Sequence, residues 1–473
     1  MLGGGADAAV AAVPAVQASS TLSVKEAAAA RHLYETWKAE GQGAVTLAVL
    51  KSRIQVVHLA ECLLESGSLA SESAFVATVG ALCRPSVPRV LFETLFQFAA
   101  IRSSQALVDV SLLVVLLSMV VDMAAVADEK EGDDNCAARR MAAFALLRAQ
   151  RPASAAGSAD FDLTALVMFV NEWAPSLARC VSSYCISLFL PFEKGPSTFV
   201  PFVAPSLGDG GSCIVSPREL IPLGLYSSQI QGRLRRLYSS NVDGNSFQHI
   251  LLALTGYNGP TLLLIRPRLP RTATDWQRAQ PPVVFGAFSQ ERWREERRWY
   301  GSSSSFLFSL SPELKLYPAR GSETNYQWLN TRAHSPKQHG LALGGSTDLK
   351  TKRLFLPSSL DECFVGASDQ TYWPGALVPA WALRSGAGSG AASGVGGSES
   401  DCVDIDAIEV WAVGGDKQIA DALSARGKQR ELNADTLQKA RQVDRAAFFG
   451  SAFDREMFLG KTFSHQKEAA DRD

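Results

Sequence analysis

The chain has 473 residues, with 46 Lys and Arg against 47 Asp and Glu, so its formal net charge is −1. Apolar residues make up 47% and charged residues 20%, ordinary globular usage, and this balance lacks the basic excess of a dedicated nucleic-acid binder. Six His and eight Cys are too few and too scattered for a disulfide framework and read as thiols of a reducing compartment.

The opening stretch, residues 1–23, is rich in Ala, Gly and Val and reads as a disordered arm. Met1–Ser20 contains no Lys or Arg, so neither a secretory signal nor a mitochondrial presequence is expected. Leu2 follows Met1, so the N-myristoylation pattern is not met. Residues 24–195 read as an all-helical domain, with helices expected over Val24–Glu40, Thr46–Glu65, Ser71–Cys83, Val87–Ile101, Gln105–Ala127, Ala137–Gln150 and Asp162–Leu190. Pro175 should kink or split the last of these. The most apolar run, Ala106–Ala127, carries Asp109 and Asp122, so it predicts a buried core helix rather than a membrane span.

Pro, Gly and Ser become frequent after Pro196, which marks residues 196–215 as a linker. Short strands then follow over Leu234–Asn241, Pro260–Arg266, Pro282–Gln290, Ser304–Ser311, Glu313–Tyr317, Lys352–Leu356 and Val403–Val413. Phe247, Ile250, Leu251 and Leu254 fall on one helical face, with Asp243 or Asn245 as the expected cap. The fold class this implies is α+β: a helical N-terminal bundle, then an antiparallel β-sandwich with flanking helices over 216–415, then a C-terminal helical extension over 416–473. Within the sandwich region, 384–400 is a Gly, Ala and Ser run and reads as a flexible insertion. In the extension, Phe453, Met457 and Phe458 form a small apolar group whose stripe is too thin to make a core alone.

Motifs that carry chemistry are sparse. No HExxH, paired CxxC, EF-hand loop, GxSxG, Walker A lysine or kinase set occurs. Cys180 and Cys185 read as core thiols, and His334 and His339 as surface residues. Glu409 has the opposite strand parity from Asp404 and Asp406 and points with Ile405, Ala407 and Trp411. A carboxylate on an apolar face needs a partner, so a buried, hydrogen-bonded Glu is expected there, with a general acid or base as the sharper alternative. Arg292, Arg294, Arg297 and Arg298 interleave with Trp293, Trp299 and Tyr300, but Glu291, Glu295 and Glu296 nearly cancel their charge. That pattern favours a salt-bridged surface or protein contact over nucleic acid.

Six blocks in order resemble the TLDc domain of the oxidation-resistance family. They are 237–247 (Leu-Tyr-Ser-Ser-Asn-Val-Asp-Gly-Asn-Ser-Phe), 259–265 (Gly-Pro-Thr-Leu-Leu-Leu-Ile), 285–288 (Phe-Gly-Ala-Phe), Tyr300-Gly301 with 306–308, 340–345, and 408–414 (Ile-Glu-Val-Trp-Ala-Val-Gly). The signature positions are Ser240, Asp243, Gly244, Phe247, Gly286, Gly301, Gly344, Gly345, Glu409 and Trp411. The long helical N-terminus and the charged C-terminus look most like the mTOR-associated lysosomal branch with its plant and fungal relatives. The residues give most of the signature a structural reading: Asp243-Gly244 is a turn opening the helix, Gly286 and Gly301 suit close backbone approach or bulges between strands, and Gly344-Gly345 marks a tight turn.

The resemblance implies a non-enzymatic regulator without cofactor or metal. Its implied partners are the peripheral head and stalk subunits of the vacuolar proton-pumping ATPase and mTOR-pathway proteins. It further implies a link to oxidative-stress protection and a cytoplasmic location, peripheral on lysosomal or vacuolar membrane. Phe453, Met457 and Phe458 would then be partner anchors. Two alternatives stand beside it: a signalling scaffold working through the helical bundle, and a peroxide-handling enzyme using Cys363 or Cys402. Acidic neighbours disfavour the thiolate that the enzyme would need.

Overall fold

In the computed structural model, the described residues are 22–53, 63–64, 69–94, 163–190, 202–208, 210–271, 273–332, 339–347, 351–384, 401–421 and 424. The expected helices over Gln105–Ala127 and Ala137–Gln150, His334, the insertion within 385–400, and Phe453, Met457 and Phe458 lie outside them. Helix α1 spans Val24–Glu40, as its periodicity predicts. It opens on a capping box: the Glu26 amide donates to Ser23 Oγ at 3.2 Å and the Ser23 amide to Glu26 Oε2 at 2.9 Å. Its inner face buries Ala30, Tyr34 and Trp37. Helix α2 is Leu47–Arg53, and α3 is Glu72–Cys83, capped by Ser71. Arg84, just past α3, reaches back to Glu26 at 2.9 Å, a buried ion pair that ties the two helices. The long helix ending near Leu190 is split at Pro175 as expected, into α4 (Leu163–Trp173) and α5 (Leu177–Phe189).

Strand β1 (Ser206–Leu207), helix α6 (Ile221–Tyr226), strand β2 (Arg233–Ser239), one-turn helix α7 (Ser240–Asp243) and helix α8 (Phe247–Thr255) come next. The face of α8 is as predicted, with Phe247, Ile250, Leu251 and Leu254 buried, each contributing about 1.5–3 kcal/mol relative to exposure. Its cap differs. Ser246 occupies the N-cap position, while the Asp243 carboxylate turns back to accept the Ser239 amide at 2.8 Å.

The remaining elements are β3 (Thr261–Arg268), α9 (Asp275–Arg278), β4 (Val284–Ser289), β5 (Phe306–Ser311), β6 (Lys315–Pro318), β7 (Gln327–Asn330), β8 (Gly340–Gly345), β9 (Lys352–Pro357), β10 (Glu362–Val365) and β11 (Asp401–Ala412). Strands β7 and β10 have four residues each and carried no sequence signal strong enough to predict. The eleven strands form one sheet: nine run in the order β6-β5-β4-β3-β11-β10-β9-β8-β7, and β2, with β1 beside it, branches from β11. The long strand β11 is its axis: β3 pairs along one edge, while β10 and β2 share the other. Pairing is antiparallel except at β1–β2, which is parallel.

The ladder folds so that its two halves face each other. Leu263 and Ile265 of β3 and Phe285 and Ala287 of β4 share one core with Leu329 of β7, Leu341 and Leu343 of β8, and Leu354 and Leu356 of β9. The opposite face of the β3–β6 half carries Leu262, Leu264, Phe288, Phe306 and Phe308, continued by Trp411 of β11. It joins a second core with Trp37, Phe75 and Phe189 of the helical region. The helices and the sheet therefore bury one another's apolar faces. Phe306 is buried on this outer face and Leu307 on the inner one, which is why every residue of β5 is buried.

Candidate functional site

The signature residues do not converge on a cleft. Three of them, Ser240, Glu409 and Trp411, lie together near the end of β11, where residues 211–216 cross β2, β3 and β11. Glu409 is 1% exposed. Its Oε2 accepts from Ser212 Oγ at 2.5 Å and from Trp411 Nε1 at 3.0 Å. Its Oε1 accepts the Cys213 amide at 2.9 Å and the Cys213 thiol at 3.1 Å. Ser212 Oγ in turn accepts the amides of Ile214 and Val215. Ser240 Oγ accepts the Ile408 amide at 3.1 Å and Asn241 Nδ2 donates to Cys213 Sγ at 3.1 Å. The Ser212 and Cys213 contacts fasten the end of β11 to the crossing segment, and Glu409 is buried and hydrogen-bonded, as its parity predicts.

The face that Glu409 shares is narrower than its parity alone implies. A register shift between Ile405 and Ala407 places a bulge at Asp406. Ile405 therefore joins the inner core with Val403, Ile408 and Val410, while Ala407 and Trp411 lie with Glu409 on the helical side. Asp406, thrown outward, pairs with Arg266 at 2.8 Å.

The glycines of the signature act by closeness. A Cβ on Gly286 would stand 1.9 Å from the Leu263 carbonyl oxygen, an overlap that no side chain can relieve. Gly344 and Gly345 are not a tight turn; they end strand β8. Gly344 holds φ at +65°, and a Cβ there would meet the Asp369 carboxylate at 2.6 Å. Asp369 and Arg353 form the second buried polar node. Arg353 is fully buried, with Nη1 on the Gly366 carbonyl at 2.5 Å, Nη2 on the Gly375 carbonyl, and Nε 3.9 Å from Asp369. Asp369 also accepts the amides of Thr371 and Tyr372. The pair clamps residues 366–375 over the edge of the sandwich. Neither Ser212 nor this clamp is foreshadowed in the sequence, because each links residues tens to hundreds of positions apart or in a loop without periodicity.

The thiols are poorly set for nucleophilic work. Cys363 is fully buried, and burial pushes its thiol well up. Burial and the Glu362 carboxylate push Cys402 up to about 12. The two lie on opposite faces of adjacent strands, Cys363 in the inner core and Cys402 toward Glu362. Cys180 and Cys185 sit in the helical core, as expected. Cys213 is exposed, but partial burial and Glu409 raise its thiol too. Among the described residues, no group of three or more His, Cys, Asp or Glu side chains gathers as a metal site. No described helix is long and apolar enough to cross a membrane.

In the Arg and Trp run, Arg294 is ion-paired and Trp293 is packed inside. Arg294 pairs with Glu291 at 3.5 Å and Glu296 at 3.3 Å and lies 4.2 Å over the Tyr300 ring. Arg332 pairs with Glu295 at 3.3 Å. Trp293 is buried and donates to Thr261 Oγ1 at 2.9 Å.

The description "TLDc domain" fits residues 212–414. Among similar proteins, MTOR-associated protein MEAK7 of Xenopus laevis is 26% identical over 212 residues, covering 45% of this chain and 38% of that protein. The protein of the same name from Gallus gallus is 25% identical over 210 residues, 44% of this chain and 36% of that protein. Restriction of telomere capping protein 5 of Leptosphaeria maculans is 26% identical over 271 residues, 47% of this chain and 41% of that protein. The chain thus spans well under half the length of the curated relatives it matches.

Proposed function

We propose that this chain, whose residues 212–414 are a TLDc domain, is a non-catalytic regulatory adaptor that docks on the vacuolar proton-pumping ATPase and serves mTOR-linked signalling and oxidative-stress protection. One observation carries the reading furthest. The signature carboxylate Glu409 spends both oxygens on four donors of its own chain, which leaves it no free lone-pair role as an acid or base and favours a non-catalytic part. The similarity to proteins named for association with mTOR favours the signalling part. The location that fits is cytoplasmic, peripheral on a lysosomal or vacuolar membrane.

The C-terminal extension is the proposed second contact. Gly414 and Gly415 lead from β11 into the helical stretch 415–421. Ile419 packs there on Tyr257, Ala412 and Leu237, and Phe453, Met457 and Phe458 would act as anchors beyond it. The test is a pull-down of detergent-solubilised vacuolar ATPase by the purified full chain and by a form lacking 425–473, which keeps Ile419. Retention of the peripheral head and stalk subunits, weakened at least severalfold by the deletion, is expected. Equal retention by both forms would remove the extension from the account. Binding of an mTOR-pathway protein without any pump subunit would favour the scaffold reading.

A further inference from the structure

Strand β2 sends alternate side chains to opposite sides, burying Leu234 and exposing Arg233 and Arg235. With Asp416, Ile419 and Ala420, these two arginines line a cavity of about 180 Å³ beside the start of the C-terminal helical stretch. Other arginines of the domain are engaged: Arg236 on the Gly211 carbonyl, Arg266 on Asp406, Arg353 on two carbonyls, Arg384 on Glu362 and Asp404. Among the described residues, Arg233, Arg235 and Asp416 have no side-chain ion-pair or hydrogen-bond partner. A cavity that collects two unpaired guanidiniums and one unpaired carboxylate has the donors and the acceptor of a polar ligand still to be met.

We propose that this cavity binds a phosphorylated polyol, a six-membered polyol ring bearing one phosphate. Alternate residues of a strand stand about 7 Å apart on one face, so the two planar forks can close on one phosphate from either side, each offering paired N–H groups. Asp416 decides what accompanies the phosphate. It repels a bare anion, but it accepts hydrogen bonds from hydroxyls held beside one. Ala420 gives the C–H face of a ring an exposed apolar contact, while Ile419 is turned mostly into the core. The cavity lies below the roughly 300–1,000 Å³ of pockets for drug-sized ligands, which suits one ring with one phosphate and is tight for a nucleotide. The phosphate could be presented by a free metabolite or by an inositol lipid headgroup; the chemistry of recognition is the same.

Isothermal titration of the full chain with myo-inositol 1-phosphate and with inorganic phosphate tests this, beside co-sedimentation with phosphatidylcholine vesicles with and without phosphatidylinositol 4-phosphate. Inositol phosphate should bind at least tenfold tighter than inorganic phosphate, and R233A/R235A should lower that affinity at least tenfold without moving the thermal unfolding midpoint. Asp416→Asn should narrow the gap, weakening the inositol phosphate and strengthening inorganic phosphate. Binding in solution alone would identify a metabolite as the source, and selective sedimentation with the phosphoinositide vesicles a headgroup. Failure of both probes, equal affinity for the two soluble anions, or binding that survives R233A/R235A would overturn the proposal. None of these results bears on pump binding, so the two readings fail separately.

Discussion

Replacing Glu409 by Ala removes the acceptor of four donors, of which the Trp411 indole N–H is fully buried and the other three are part-buried. Trp411 is fully buried and loses the acceptor of its indole N–H; the Cys213 amide, the Cys213 thiol and Ser212 Oγ lose theirs. A hydrogen bond to a carboxylate contributes about 1.5–3 kcal/mol, and a stranded buried donor costs about 1–3 kcal/mol. The four act as one cluster and do not add in full, so the expected loss is about 4 kcal/mol, a large share of the roughly 5–15 kcal/mol that holds a folded chain. Glu409→Gln keeps one acceptor oxygen but turns an N–H₂ toward existing donors, and should lose about 2 kcal/mol. Asp404→Ala is the control. Its carboxylate sits eight residues from the end of the same strand and pairs with Arg384 in solvent, which is worth about 0–1 kcal/mol. Urea unfolding followed by tryptophan fluorescence reads all three. If Glu409→Ala and Asp404→Ala unfold within about 1 kcal/mol of each other, Glu409 is not the fastening described here.

Gly286→Ala should not yield folded protein, because its methyl would occupy the Leu263 carbonyl; a folded variant with an unchanged circular dichroism spectrum would contradict the strand packing. Burial alone would raise the pKa of Glu26, but the Ser23 amide and hydroxyl and the Arg84 guanidinium together hold it below its ordinary value of 4.5. A depressed folded value means that the stability from this carboxylate is present above about 4.5 and is lost as pH falls through the folded value. Glu26→Gln should therefore lower the thermal midpoint at neutral pH, by about 3 kcal/mol of stability, and converge with the parent in acid; an offset that persists at low pH would refute the pairing. Burial raises the thiols of Cys363, Cys180 and Cys185, so maleimide at pH 7 should label the native chain at Cys213 before any of these three, and Cys213 itself more slowly than a free thiol. Any peroxide consumption should be unchanged by the Cys363→Ser, Cys402→Ser pair, and its loss would revive the enzyme reading.

What could be read in advance were features with a local cause. The capping box of α1, the split at Pro175 and the apolar face of α8 each follow from residues within a few positions of one another. Strand parity placed Glu409 on a buried face, yet it put Ile405 on the same side, because a bulge at Asp406 is invisible in an alternation count. Gly344-Gly345 looked like a turn, since paired glycines usually are one. They end a strand, where Asp369 and Tyr372 leave no room for a side chain at Gly344, and the Thr351 carbonyl and Trp299 leave none at Gly345. Ser212 reaches Glu409 across almost two hundred positions, and Arg353 finds Asp369 in a loop without period. Such contacts are fixed by the ladder, not by their neighbours in the chain. The shared core between the helices and the β3–β6 face was equally hidden, because both its halves read simply as apolar.

The central claim, action by docking, is met most directly by titrating purified vacuolar ATPase with the labelled full chain at physiological salt, with and without nucleotide, and following fluorescence anisotropy. The account predicts saturable binding that depends on nucleotide and is competed by unlabelled chain. A flat anisotropy trace in every nucleotide state, from protein whose circular dichroism shows it folded, would contradict it.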